Sequence, residues 1–111
     1  MVDEETLNWV KELHKTTLYT VSICSGARLL GVLGLLDNRH YCTHRGVYEH
    51  MKEIVPNGTP NPEKRFVQST DKIFTSGGIS AGIDLSFHIV ELLHGRTVTE
   101  ETAYYMEYEL K

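Results

Sequence analysis

The stretch that decides the fold is Thr17-Leu18-Tyr19-Thr20-Val21-Ser22-Ile23-Cys24-Ser25-Gly26, followed by the apolar run Ala27 to Leu36. Thr17 to Ile23 is β-branched and aromatic, the composition of a strand. Ala27 to Leu36 reads as a helix closed by Asp37-Asn38. Strand, Cys-Ser-Gly, helix describes an abrupt bend that pushes one side chain out at the C-terminal edge of a sheet. Open α/β sheets place their ligands there. A thiol suits the position, because unpaired N–H groups at a helix start favour the thiolate. The backbone N–H of Ser25 can stabilise an oxyanion, as at other nucleophile elbows. Gly26 lets the chain turn without a Cβ clash. On this pattern alone, a buried cysteine that only fills space is an equally good reading, since Cys-Ser-Gly is short and unspecific.

Working outward, Asp3 to Lys15 reads as a helix. Leu7, Val10, Leu13 and His14 follow helical spacing, and Asp3, Glu4 and Glu5 oppose the positive end of its dipole;. Beyond the elbow, Arg39 to Arg45 is a short strand and Val47 to Ile54 a helix. Pro56 to Pro62 is turn chemistry throughout and reads as a surface loop;. Arg65 to Ser69 and Lys72 to Ser76 form a hairpin around Thr70-Asp71. Ser80 caps a helix from Ala81 to His94, apolar on most sides and expected to be largely buried, with Gly95 ending it. Thr99 caps a last helix, Glu100 to Leu110. Strands alternating with helices give an α/β class: a parallel sheet with a small antiparallel hairpin, in a single domain over residues 1–111;.

Composition narrows the function. Of 111 residues, 41% are apolar and 23% charged, which fits a globular chain;. Acidic residues outnumber basic ones 15 to 11, which argues against a nucleic-acid surface;. The start Met1-Val2-Asp3-Glu4-Glu5 lacks the pattern of a secretory signal;. The longest near-apolar run, Leu29 to Leu36, falls far short of the ~20 residues that span a bilayer. A cytoplasmic protein without membrane partners is expected. Cys24 and Cys42 are then thiols rather than a disulfide. Neither they nor the spacing of His14, His40, His50, His88 and His94 makes a metal signature, so no metal or cofactor is expected.

Taken together, Ser22 to Ala27, Leu29-Leu30, Gly34 to Asp37, Thr43-His44, Arg65-Phe66-Val67, Thr75 to Asp84 and His88-Ile89-Val90 resemble the ThiJ/PfpI family, part of the class I glutamine amidotransferase-like group. Within it they look most like isocyanide hydratase and the amidase-like domains of some regulators. The resemblance implies a flavodoxin-like three-layer sandwich with Cys24 as nucleophile and His44 nearby. It implies that Gly77 to Asp84 packs close to the elbow, with Gly26, Gly77, Gly78 and Ile79 facing a small-molecule substrate. It also implies association, as a homodimer or with a complementary chain. Members of the family usually carry further strands and helices before the point where this sequence starts. Those hold an acidic residue that bonds the cysteine and a glycine that completes the oxyanion hole. Neither has a counterpart here, so the resemblance implies an N-terminally truncated sandwich. Ser25 stands where protease-like members have histidine, which disfavours a peptidase.

Two functions from different classes follow. The first is a cysteine-dependent hydratase or hydrolase acting on a small molecule, with Cys24 attacking, the Ser25 N–H holding the developing anion and His44 moving a proton. The second is a catalytically silent, shortened member acting as an oligomeric binding or regulatory module. The remaining residues have plainer readings. Cys42 belongs to the core or an interface, Asp84 helps cap the buried helix, and Tyr104, Tyr105, Met106 and Tyr108 form an apolar contact stripe.

Overall fold

The computed structural model describes residues 3–110. Helix α1 spans Glu4–His14, and the side chain of its N-cap, Asp3, accepts the Thr6 N–H at 2.7 Å. That bond satisfies a donor that a helix start otherwise leaves orphaned. At the other end Lys72 donates to the His14 carbonyl, and His14 Nδ1 meets Thr20 Oγ1 at 2.6 Å. The first ties α1 to the turn that leads into the strand Ile73–Ser76, the second to the start of strand β1, Thr20–Ser22. A 3-10 turn over Cys24–Gly26 leads into α2, Ala27–Val32.

Strand β2 is His40–Tyr41, and a second 3-10 turn, Arg45–Val47, opens α3, Tyr48–Ile54. Strands β3 (Thr59–Pro60), β4 (Phe66–Gln68) and β5 (Ile73–Ser76) precede α4, Ile79–His94, and α5, Arg96–Tyr105. The main sheet has the order β1-β5-β4. β1 runs parallel to β5, with Val21 opposite Phe74, and β4 runs antiparallel to β5 as the expected hairpin. β2 and β3 pair in parallel as a separate two-stranded sheet.

The core lies between α2, α3 and the strands. It is built on Ala27, Leu30, Leu36, Tyr41, Met51, Val55 and Ile73, all buried. β5 is buried along its whole length, as expected of a strand with neighbours on both sides and helices above and below;. The α/β class, the parallel sheet and the hairpin are as the sequence implies.

Several boundaries differ, each for a physical reason. α2 stops at Val32 rather than Leu36, because the chain turns at Gly34, whose φ is +79°;. The strand expected over Arg39 to Arg45 shrinks to two residues. The segment Pro56 to Pro62 is not all loop, because Thr59 and Pro60 pair with β2. Ser80 does not cap α4, which begins one residue before it. Its hydroxyl receives Arg65 Nη2 at 3.1 Å instead. Gly95, at φ +89°, does end α4, but α5 follows at once. Thr99 therefore lies inside α5, its hydroxyl bonded to the Gly95 carbonyl at 2.8 Å.

α4 is buried on one face only, through Ala81, Gly82, Leu85 and Phe87; Ile83, Leu92 and Leu93 are exposed. Asp84 does not cap it either. Asp84 accepts from Arg65 and from the Tyr108 hydroxyl, which fixes the C-terminal segment, while the Tyr108 ring stacks on Phe87. His88, half-buried on α4, packs its ring against Phe66 and Phe74. Tyr104 and Tyr105 are exposed and take no part in this chain's core.

Close backbone approach explains one glycine. A Cβ on Gly58 would lie 2.8 Å from Val55 Cγ1 and 3.0 Å from Tyr41 Cε2. Both neighbours are fully buried and have nowhere to move. Gly58→Ala is therefore expected to cost about 1–3 kcal/mol of stability, read as a lowered denaturation midpoint in urea. An unchanged midpoint would show that Tyr41 and Val55 are loosely held.

Candidate active site

Cys24 follows directly on β1 and Ile23, and its backbone is left-handed, with φ +60°. An L residue other than glycine pays about 1–2 kcal/mol for that conformation. Three backbone-directed bonds hold it there. The Cys24 N–H donates to the Gly77 carbonyl at 2.9 Å, just past the end of β5. The Cys24 carbonyl accepts from Thr43 Oγ1 at 2.9 Å and from the His44 N–H at 3.3 Å. With both backbone groups engaged on the sheet side, the side chain is presented outward and is partly exposed.

His44 caps the turn that opens α3, its Nδ1 accepting the Gly46 N–H at 3.0 Å. A neutral His44 therefore carries its proton on Nε2. Gly78 lies against this imidazole, since a Cβ on Gly78 would stand 3.7 Å from His44 Cδ2. The structure thus brings Cys24, His44, Gly77 and Gly78 together. A polar cleft of about 330 Å³ is lined by His44, Gly78, Arg45, Tyr48, Lys64 and Arg65 among others, with Cys24 and Gly77 outside its lining.

Ser25 and Gly26 face another way. They border an apolar groove of about 480 Å³ formed with Leu7, Leu29, Val32 and Ile54. The elbow therefore separates two cavities, and Gly26 lines a different one from Gly78. Ile79 lines neither and is 80% exposed. The Ser22 hydroxyl is buried without a hydrogen-bond partner among the described residues, and the Ser22 side chain approaches the Gly26 backbone.

Sequence reasoning assigned no role to Thr43, yet its hydroxyl is the shortest tie from the β2 side to Cys24. The Thr43-His44 pair carried that signal. A side chain whose only work is to hold the backbone of a distant residue has no periodicity to betray it.

Cys42 contrasts with Cys24. It is fully buried, its thiol directed at the carbonyls of Asn61 and Lys64. Burial pushes its pKa up, so it stays a thiol;. Burial likewise pushes the Tyr48 hydroxyl up to about 12. Among the described residues no cluster of three or more His, Cys, Asp or Glu side chains is placed to hold a metal, and no helix is long and apolar enough to cross a membrane.

The left-handed backbone gives a direct test. Cys24→Gly is expected to be more stable than Cys24→Ala by about 1 kcal/mol, because only glycine adopts φ +60° freely. Equal denaturation midpoints for the two variants would mean that Cys24 is not strained.

Residues 1–92 match the DJ-1/PfpI family. The chain is 31% identical over 108 residues to the isonitrile hydratase of Pseudomonas putida, covering 97% of this chain and 46% of that protein. It superposes on the crystal structure of a ThiJ/PfpI family protein from Pseudomonas syringae with a TM-score of 0.85 and 28% identity, covering 98% of this chain and 43% of the other. An AraC family transcriptional regulator from Pseudomonas putida shares the fold at a TM-score of 0.79, with 18% identity, 96% of this chain and 57% of the other being covered. The chain spans about half the length of these relatives. With a flavodoxin-like arrangement and a strand-to-helix cysteine turn in place, the chain belongs to the DJ-1/PfpI family.

Proposed function

We propose that this chain carries the nucleophile-bearing half of a cysteine-dependent hydratase acting on a small molecule, with isocyanide hydration as its reaction. The observation that supports this best is Cys24 itself. Its strained backbone is held by the Gly77 carbonyl after β5 and by the loop that also carries His44, and the residue is partly exposed. Strain of this kind clusters at functional sites. The similarity to the Pseudomonas putida isonitrile hydratase suggests the substrate class.

In this reading the Cys24 sulfur adds to the terminal carbon of R–N≡C while that carbon gains a proton, giving R–N=CH–S–Cys24. Water then adds across the C=N bond to give R–NH–CH(OH)–S–Cys24. Collapse expels the thiol and releases the formamide R–NH–CHO, so one water is consumed and Cys24 is regenerated. In this reading His44, with its proton on Nε2 when neutral, hands protons to and from the reacting atoms;. The Ser25 N–H is the nearest backbone donor following the nucleophile in sequence, and it supports charge that develops during water addition. Gly78 puts no side chain against His44, which leaves room for a substituent in the polar cleft.

The test is formamide production from an alkyl or aryl isocyanide. Cys24→Ala is expected to lower the rate by about 10³-fold or more, and His44→Ala by about 10²-fold with Cys24 still open to alkylation. Cys42→Ala is expected to leave the rate unchanged. A Cys24→Ala protein with full activity sinks the proposal. Complete inactivity of the unmodified chain favours the silent binding or regulatory module instead.

A further inference from the structure

The cleft beside His44 is rich in hydrogen-bond donors and carries an excess of positive charge. Arg45 and Lys64 line it, and neither side chain makes a hydrogen bond or ion pair among the described residues. Arg65 lines it too, but Asp84 already offsets that charge. Among the described residues Glu63 is the one acid of the lining. Hydrogen bonds from its own backbone and from Asn61 hold Glu63 below the usual carboxylate range, so it opposes one of the cations. One positive charge is left over, in a chain whose net charge is −4.

Neutral donors add to the cations. His44 Nδ1 already accepts the Gly46 N–H, so the neutral ring has only Nε2–H left to offer;. Ser80 Oγ accepts Arg65 Nη2 at 3.1 Å, which leaves its own proton to donate;. Arginine and lysine accept nothing, so such a lining is matched by a ligand that only accepts, which is an oxyanion. A single charge in excess suits a monoanion. A guanidinium fork fits a planar carboxylate bidentately, and an ammonium beside it adds a point charge. The volume of about 330 Å³ is that of a small-molecule site;.

The cleft and the nucleophile share a wall. Thr43 and His44 line the cleft, and both bond the Cys24 carbonyl, through Oγ1 at 2.9 Å and the backbone N–H at 3.3 Å. The residues that fix the bend at Cys24 therefore form one side of the cationic cavity. We infer that this cleft is the subsite for a carboxylate on the substituent R, so that the preferred substrates are isocyanides bearing an acid close to the reacting carbon. The inference rests on the reaction proposed above and names the part of the substrate which that reaction leaves open.

Two pairs of probes test it, each an acid matched with a neutral partner: iodoacetate with iodoacetamide, and isocyanoacetate with its methyl ester. The first pair reads the cleft without catalysis. The Cys24 sulfur displaces iodide from either reagent, and the ratio of the two rates cancels any change in thiolate population. Mass spectrometry locates the label. The iodoacetate-to-iodoacetamide ratio at Cys24 is expected to exceed that of free cysteine by about 10-fold or more, and to fall as salt is added. The double variant Arg45→Gln/Lys64→Gln is expected to remove this advantage, and Glu63→Gln to raise it by about 3-fold. All three side chains are exposed, so circular dichroism is expected to be unchanged;. With the second pair, kcat/KM for isocyanoacetate is expected to exceed that for the ester by about 10-fold or more, a preference that the double variant loses. A ratio no greater than that of free cysteine, or one that the double variant leaves in place, overturns the subsite even where neutral isocyanides are hydrated. Equal hydration of acid and ester overturns it as well. A charge-dependent alkylation ratio with neither isocyanide converted sinks the reaction alone and keeps the carboxylate subsite for an acid with a different electrophile.

Discussion

The structure turns on how the backbone of Cys24 is held. One amide bond from β5 and two bonds from the loop after β2 converge on a residue at φ +60°. Each such bond contributes about 1 kcal/mol net, and the left-handed conformation costs about 1–2 kcal/mol. Three bonds are enough to offset the strain, and two barely are. The bend therefore persists because separate segments agree on it, and the local preference of Cys-Ser-Gly alone would not hold it. The same bonds couple the two groups of interest. His44 donates its own backbone N–H to Cys24, so the main-chain positions that carry imidazole and thiol are tied together.

The loop that supplies those bonds is itself pinned from β5. Thr75, buried and in register with Ser22, accepts the Cys42 N–H at 2.8 Å and shares a hydrogen bond with Ser69 at 3.1 Å. The Thr43 N–H reaches the Tyr48 hydroxyl at 3.3 Å. Tyr48 is held neutral by burial, with its pKa near 12, so this support does not change through the ordinary pH range. The two cysteines, 18 residues apart, are separated chemically by this frame. Cys42 is sealed in the wall and kept as a thiol, whereas Cys24 stands at its edge.

Much of this was legible in the sequence because the deciding signals are local. The acidic start of α1, the hairpin around Thr70-Asp71, Gly95 at the end of α4 and the strand-cysteine-helix junction each act over a few residues. The misses share a different cause. β3 exists because Thr59 and Pro60 lie beside β2, a pairing that turn chemistry hides. Thr99 looks like a cap, but α5 starts earlier because Gly95 serves both helices. Asp84 and His88 have their partners on β4, β5 and the C-terminal segment, contacts that no helical periodicity encodes. The site followed the same rule. Cys24 and His44 were visible as residue types, and the grouping of Gly77 and Gly78 came with the family pattern. The separation of Gly26 and Ile79 from that group depends on which cavity each faces.

Charge stabilisation at a nucleophile is effective where water is excluded and fixed dipoles replace it. In this chain Cys24 is partly exposed, Ile79 is almost wholly so, and among the described residues the strand leading to the thiol is paired along one side only. The bonds that hold the Cys24 backbone come from β5 and the loop after β2. The bend at Cys24 is thus fixed through its backbone, while its side chain stays partly open to water.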